Sequence, residues 1–142
     1  MKLNNILGKL LGTSGQEIEE THVDKEVIDE IINIAKESYP KEFMALLEGK
    51  IKEHVLEITG LIFLPIETSN EGAVMQIFMQ PLTVNSVGSV HSHPGYSASP
   101  SDADLKFFSK KGFFHIIIAE PYNKESIRAY SNFGEPVNYK II

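Results

Sequence analysis

The segment FFHIIIAEP, residues 113–121, carries Phe113, Phe114, Ile116, Ile117 and Ile118 with one histidine among them. Side chains of a strand alternate between its two faces, so a strand built here is apolar on both, and each face needs a covering layer. A chain of 142 residues is a single domain by length, large enough to bury such a strand in one core without staples. The segment therefore belongs at the centre of a sheet that is covered on both sides.

The rest of the pattern supplies the layers. Val27, Ile28, Ile31, Ile34 and Ala35 share one face of a helix that begins at Asp24. It ends near Tyr39, because Pro40 disfavours helical geometry in the residue before it. FMALLEGKI (43–51) and HVLEITGLIFLPI (54–66) read as strands with Glu48, Gly49 and Lys50 at a turn, and VMQIFM (74–79) and VGSVHSH (87–93) as two more. Residues 66–73 form a polar loop. SPSDADLKFFSKKG (99–112) reads as a helix, with acids in its first turn, Lys110 and Lys111 in its last and Gly112 beyond. SIRAYSNF and PVNYKII add strands. Helices and strands interleave without repeats, which predicts an α/β fold: a single layered domain with a mixed β-sheet flanked by helices. Residues 1–20, with Leu3, Ile6, Leu7, Leu10 and Leu11 at helical spacing, read as an amphipathic arm and linker ahead of a domain spanning 21–142. Such an arm docks on its own domain or serves a partner or homodimer contact.

The net charge of −6, with no basic stripe, argues against a nucleic-acid partner. The chain has no cysteine. That removes disulfides, thiolate metal sites and thiol nucleophiles together and fits a reducing cytoplasm. Any metal must be held by histidine and carboxylate. The N-terminal stretch has no uninterrupted apolar core, and no run is long enough to span a bilayer, so a cytoplasmic location away from membranes is expected.

One stretch carries chemistry: HSHPGYSASPSDAD, from His91 to Asp104. His91 and His93 stand at i and i+2 on a strand, so both imidazoles project from one face, while Val90 and Ser92 face the other. Pro94 and Gly95 end the strand, and Asp104 arrives in the first turn of the next helix. Two imidazoles and a carboxylate suit catalytic zinc, because three protein ligands leave a fourth position for water. The same residues also admit an ordinary reading: Ser101 and Asp104 form a capping-box pattern at a helix start, and Asp104 cannot freely do both jobs. Tyr96, Ser97 and Ser99 serve equally as a substrate-contacting wall or as a plain turn. His22 and His54 fall in exposed segments. His115 falls in a buried strand, where a hydrogen-bond partner is expected.

The complete string, H-S-H-P followed by six residues and S-x-x-D, resembles the JAMM signature of the MPN-domain zinc metalloproteases. That family also places a glutamate near the start of the first strand after the first helix, and in YPKEFMALLEG Glu42 falls in this place. Relatives often have a glycine soon after that glutamate, where Phe43, Met44 and Ala45 stand here. The resemblance implies the MPN architecture, similar to that of cytidine deaminases, over residues 21–142. It implies one Zn²⁺ per chain held by His91, His93 and Asp104, with Glu42 handling protons and Ser101 helping to hold the oxyanion. It further implies an isopeptidase or peptidase that cuts after the C-terminal tail of a ubiquitin-like or sulfur-carrier protein, with Tyr96 and Ser99 near that substrate. The compact length resembles the prokaryotic branch. Other owners of H-x-H fit poorly. An amidohydrolase needs a barrel of about 250 residues, a deaminase needs P-C-x-x-C, and the helix-rich first half does not suit a cupin jelly roll. The rival from another class is an MPN domain that binds proteins without catalysis.

Overall fold

The computed structural model describes residues 17–63 and 86–142. The expected strand VMQIFM, the loop 66–73 and most of the N-terminal arm lie outside the described residues. Among these, the elements run β1 (Glu20–Val23), α1 (Lys25–Ser38), β2 (Met44–Lys52), β3 (Val55–Ile62), β4 (Ser86–Ser92), α2 (Asp102–Phe108), β5 (Phe114–Ile118), a short 3₁₀ turn (Lys124–Ser126), β6 (Ile127–Ser131) and β7 (Lys140–Ile141). The strands form one mixed sheet in the order β6-β5-β4-β2-β3-β1-β7. β4 and β5 run parallel, as do β1 and its neighbours β3 and β7, while β2 is antiparallel to both β3 and β4.

The FHIII strand is covered on both faces, as its composition demands. Phe114, Ile116 and Ile118 join Val27, Ile28, Ile31 and Ala35 of α1 in one buried cluster. Ile117 joins Met44, Leu46 and Tyr130 beneath Phe107 and Phe108 of α2 in the other. Each such side chain contributes about 2 kcal/mol on burial, enough that the two helices hold the sheet between them.

Three local expectations are corrected. The β2–β3 turn is not at Glu48, Gly49 and Lys50: β2 runs through them, and the chain reverses at Glu53 and His54, both at positive φ. Gly49 sits instead at a strand irregularity, where a Cβ would collide with the Glu57 carbonyl oxygen. The glycine permits close strand approach rather than a turn. Helix α2 stops at Phe108, so Lys110 and Lys111 lie beyond it. Gly112, at φ +103, turns the chain so that Phe113 N–H donates to the Val87 carbonyl at 2.8 Å. PVNYKII forms only the two-residue β7 and one bridge, Pro136 to Tyr130. Strand β1 was not visible in the pattern, because four residues with mixed polarity carry no periodic signal.

Candidate metal centre

β2 and β4 build the site by register. Met44 pairs with His91. One position on, Phe43 N–H donates to Ser92 Oγ at 2.9 Å and Ser92 N–H donates to the Phe43 carbonyl at 3.1 Å. Continuing the same antiparallel register sets Glu42 opposite His93. Ser92, between the two histidines and on the other face, thus ties the start of β2 to the strand that carries both rings.

His91 and His93 bring their Nε2 atoms to 3.1 Å from each other. Asp104 completes the group, with Oδ1 3.2 Å from His91 Nε2 and Oδ2 3.3 Å from His93 Nε2. His91 and Asp104 are buried, with 1% and 7% of their surface exposed, whereas His93 is half-buried. Two imidazole nitrogens and a carboxylate converging at this spacing are a donor set suited to a cation. The spacing fits zinc: ligands about 2.05 Å from a tetrahedral ion lie roughly 3.3 Å apart. His93 is held in the competent tautomer, since its Nδ1–H donates to the Ser97 carbonyl at 2.9 Å, which turns the Nε2 lone pair inward. Tyr122 O–H donates to the His93 carbonyl at 3.0 Å and fixes the strand end itself. His91 Nδ1 is buried with no partner among the described residues, so packing, including the Phe108 ring 6.4 Å away, holds this ring.

Asp104 completes a capping box while its carboxylate also faces the two histidines. Its Oδ2 accepts from Ser101 N–H at 2.8 Å, and Ser101 Oγ accepts from Asp104 N–H at 3.1 Å, a complete capping box. A carboxylate has two oxygens and about four lone-pair sites, so Oδ1 stays available. Burial alone would raise the Asp104 pKa, but hydrogen bonds from His91 and His93 and from the Ser101 backbone outweigh it and hold the carboxyl well below its usual range. The Asp104 hydrogen bond raises His93 in turn, against burial, with further help from Ser97 and the charge of Glu42. Glu42 is half-buried and stands outside the three-residue cluster. Tyr96 and Ser99 are exposed and line a groove beside the centre. His22 pairs with Glu20 at 2.9 Å, away from the site.

His115 has the partner expected of a buried histidine: Nδ1 lies 2.7 Å from Ser89 Oγ, and the ring stacks on Phe108 at 4.3 Å. Burial pushes its pKa down to about 3. Below about pH 6.5 the unfolded chain takes up a proton that the folded chain refuses, so stability is complete above that pH and falls towards pH 3. The slope is about 1.4 kcal/mol per pH unit. With chelator present, urea unfolding between pH 6.5 and 4.5 is expected to cost the native chain about 2–3 kcal/mol more than it costs His115→Leu. Equal losses would refute the assignment.

An open centre of two imidazoles and a carboxylate, set at the end of a strand in a layered α/β domain, defines a metal-dependent hydrolase. Comparison with known proteins narrows the class. The family model of prokaryotic homologs of the JAB domain matches residues 24–132. A probable metalloprotease of Haloferax volcanii is 32% identical over 117 residues, covering 78% of this chain and 72% of the relative. A JAB1/MPN domain protein from Archaeoglobus fulgidus superposes with a TM-score of 0.69 at 32% identity, over 87% of this chain and 99% of that one. A structure described as JAMM, a metalloprotease-like zinc site in the proteasome and signalosome, gives 0.65 at 32% identity, over 87% and 98%. The chain belongs to the prokaryotic homologs of the JAB domain. It is a JAMM-type metalloprotease, and His91, His93 and Asp104 are the group placed to hold its metal.

Pattern reading missed Ser92, Tyr122 and Phe108. Ser92 could have been found, because the residue between two same-face histidines must point at the neighbouring layer. Tyr122 gave no signal, since its approach to His93 depends on how the loop after β5 folds back.

Proposed function

We propose that His91, His93 and Asp104 hold one zinc ion and that Glu42 and Ser101 act with it to hydrolyse a peptide or isopeptide bond. The bond follows the C-terminal tail of a ubiquitin-like or sulfur-carrier protein. The observation that carries this reading is the convergence of three ligand atoms at 3.1–3.3 Å. Zinc, when bound, polarises the carbonyl and lowers the pKa of water from ~15.7 to about 7. Glu42, across from His93, takes the proton released as the carbonyl is attacked and returns it to the leaving amine. Ser101 Oγ accepts from the helix and keeps its own O–H proton, so it can donate to the oxyanion while remaining the cap. Among the described residues the stretch from Asp104 to β5 holds only the remainder of the seven-residue α2, which suits a site that receives an extended tail. Among the described residues no helix is long and apolar enough to cross a membrane. We place the enzyme in the cytoplasm, with residues 21–142 as its catalytic domain and the arm before it available for a homodimer contact.

The test is to purify the full chain, count zinc by elemental analysis, and incubate it with ubiquitin-like and sulfur-carrier fusions with and without chelator. One zinc per chain and cleavage at the end of the tail, abolished by chelator, are expected. Stoichiometric zinc with no cleavage of any fusion would make the domain a binding module.

A further inference from the structure

The chain has one arginine, Arg128; its other cations are lysines. The sheet places that arginine on the metal face. Met44 pairs with His91, His91 with Ile117 and Ile117 with Arg128, so the four stand in one row across β2, β4, β5 and β6. At about 4.8 Å per strand, the Arg128 backbone is about 10 Å from the His91 backbone along the sheet. Beside the centre lies a groove of about 320 Å³, lined by Tyr96, Ser97, Ser99, Ser126, Arg128 and Tyr130. Among the described residues no carboxylate lines it. Its wall is fixed to the site: Ser97 accepts from the metal-face ring of His93, and Tyr130 O–H donates to the Ala98 carbonyl at 2.7 Å. Arg128 is anchored too, since Nη1 donates to the Glu125 and Ile127 carbonyls at 2.8 and 2.9 Å. Both of these bonds are made by Nη1, which leaves Nε and Nη2 as the donors to offer a ligand.

A held guanidinium with free donors, flanked by serine hydroxyls and facing no acid, suits a planar carboxylate. We propose that this groove is an anion subsite in which Arg128 takes a substrate carboxylate about three residues from the bond that is cut. The length is taken from that backbone spacing: extended chain spans roughly 3.3–3.6 Å per residue, so about three residues match it. This rests on the reading of His91, His93 and Asp104 as the reacting centre. The carboxylate belongs either to the terminus of a short leaving segment or to an acidic side chain at the same reach.

Two measurements test the proposal separately from the peptidase reading. The first uses a ubiquitin-like fusion with one to four alanines after the tail, each as free acid and as amide, and a four-alanine amide with glutamate at each position. The native enzyme is expected to prefer acid over amide about tenfold in kcat/KM, mainly through KM, at three residues. In Arg128→Gln that preference falls to near one, and Arg128→Lys keeps part of it. A preference confined to the alanine acids assigns the terminal carboxylate, and one recovered by internal glutamate assigns a side chain. A preference that survives Arg128→Gln, or equal losses on acid and amide, overturns the subsite while leaving the peptidase intact. The second titrates tri-alanine, as acid and as amide, into the zinc-loaded protein and follows the Arg128 Nε–H resonance. A shift with the acid alone, seen even if no fusion is cleaved, supports the subsite; no shift with either overturns it.

Discussion

Glu42→Gln is expected to bind one zinc per chain and to lose turnover by about 10²- to 10⁴-fold, the range supplied by a general acid–base group. Two features make the outcome specific. Glu42 lies outside the cluster of His91, His93 and Asp104, so the ligand atoms stay in place when its charge is removed. The backbone next to it is pinned by the paired hydrogen bonds between Phe43 and Ser92. Glutamine in that place has nearly the shape of glutamate and can still accept a hydrogen bond, but it cannot take up the proton released in the attack. Elemental analysis beside single-turnover kinetics on a cleavable fusion checks both halves. A variant that cleaves at the native rate would remove Glu42 from the mechanism. A variant that loses zinc would make it a ligand.

The convergence of His91, His93 and Asp104 was legible in the sequence because its information is local. Strand alternation puts His91 and His93 on one face, and Asp104 follows within the next helical turn, so short-range geometry almost determines their meeting. Glu42 is different, since only the β2–β4 register joins it to His93 and no periodicity encodes register. It was found through family resemblance. The doubly covered FHIII strand was legible because both of its faces are apolar. The β2–β3 turn was not, because Gly49 is equally the residue of a turn and of a close strand approach, and only the Glu57 carbonyl beside it decides. Arg128 shows a third case. A lone arginine in an edge strand reads as a solvated charge, and it gains meaning only when the row from His91 through Ile117 is laid across the sheet.

Separating the capping role of Asp104 from its proposed metal binding gives the largest effect after Glu42. Asp104→Asn keeps an oxygen for Ser101 N–H but loses the anionic ligand, so at pH 8 its metal-free stability is expected within about 0.5 kcal/mol of the native chain. Its zinc binding is expected to fail. Zinc at a thousandfold excess over its dissociation constant stabilises a folded protein by about 4 kcal/mol, and this gain should be absent in Asp104→Asn, as in His91→Ala. Ser101→Ala gives the opposite pattern. It loses the cap, about 1 kcal/mol in metal-free stability, retains the full gain from zinc, and slows cleavage by roughly 10²-fold through the lost oxyanion donor. Thermal unfolding with and without zinc, beside cleavage rates, reads all three variants in one experiment. If Asp104→Asn bound zinc as tightly as the native chain, its carboxylate would be a cap alone, and the third ligand would have to be sought elsewhere. The opposite pairing, zinc lost on Ser101→Ala, would mean that the capping box itself sets where Asp104 points. The 3.1 Å bond from Asp104 N–H to Ser101 Oγ, the one that alanine removes, would then govern the metal.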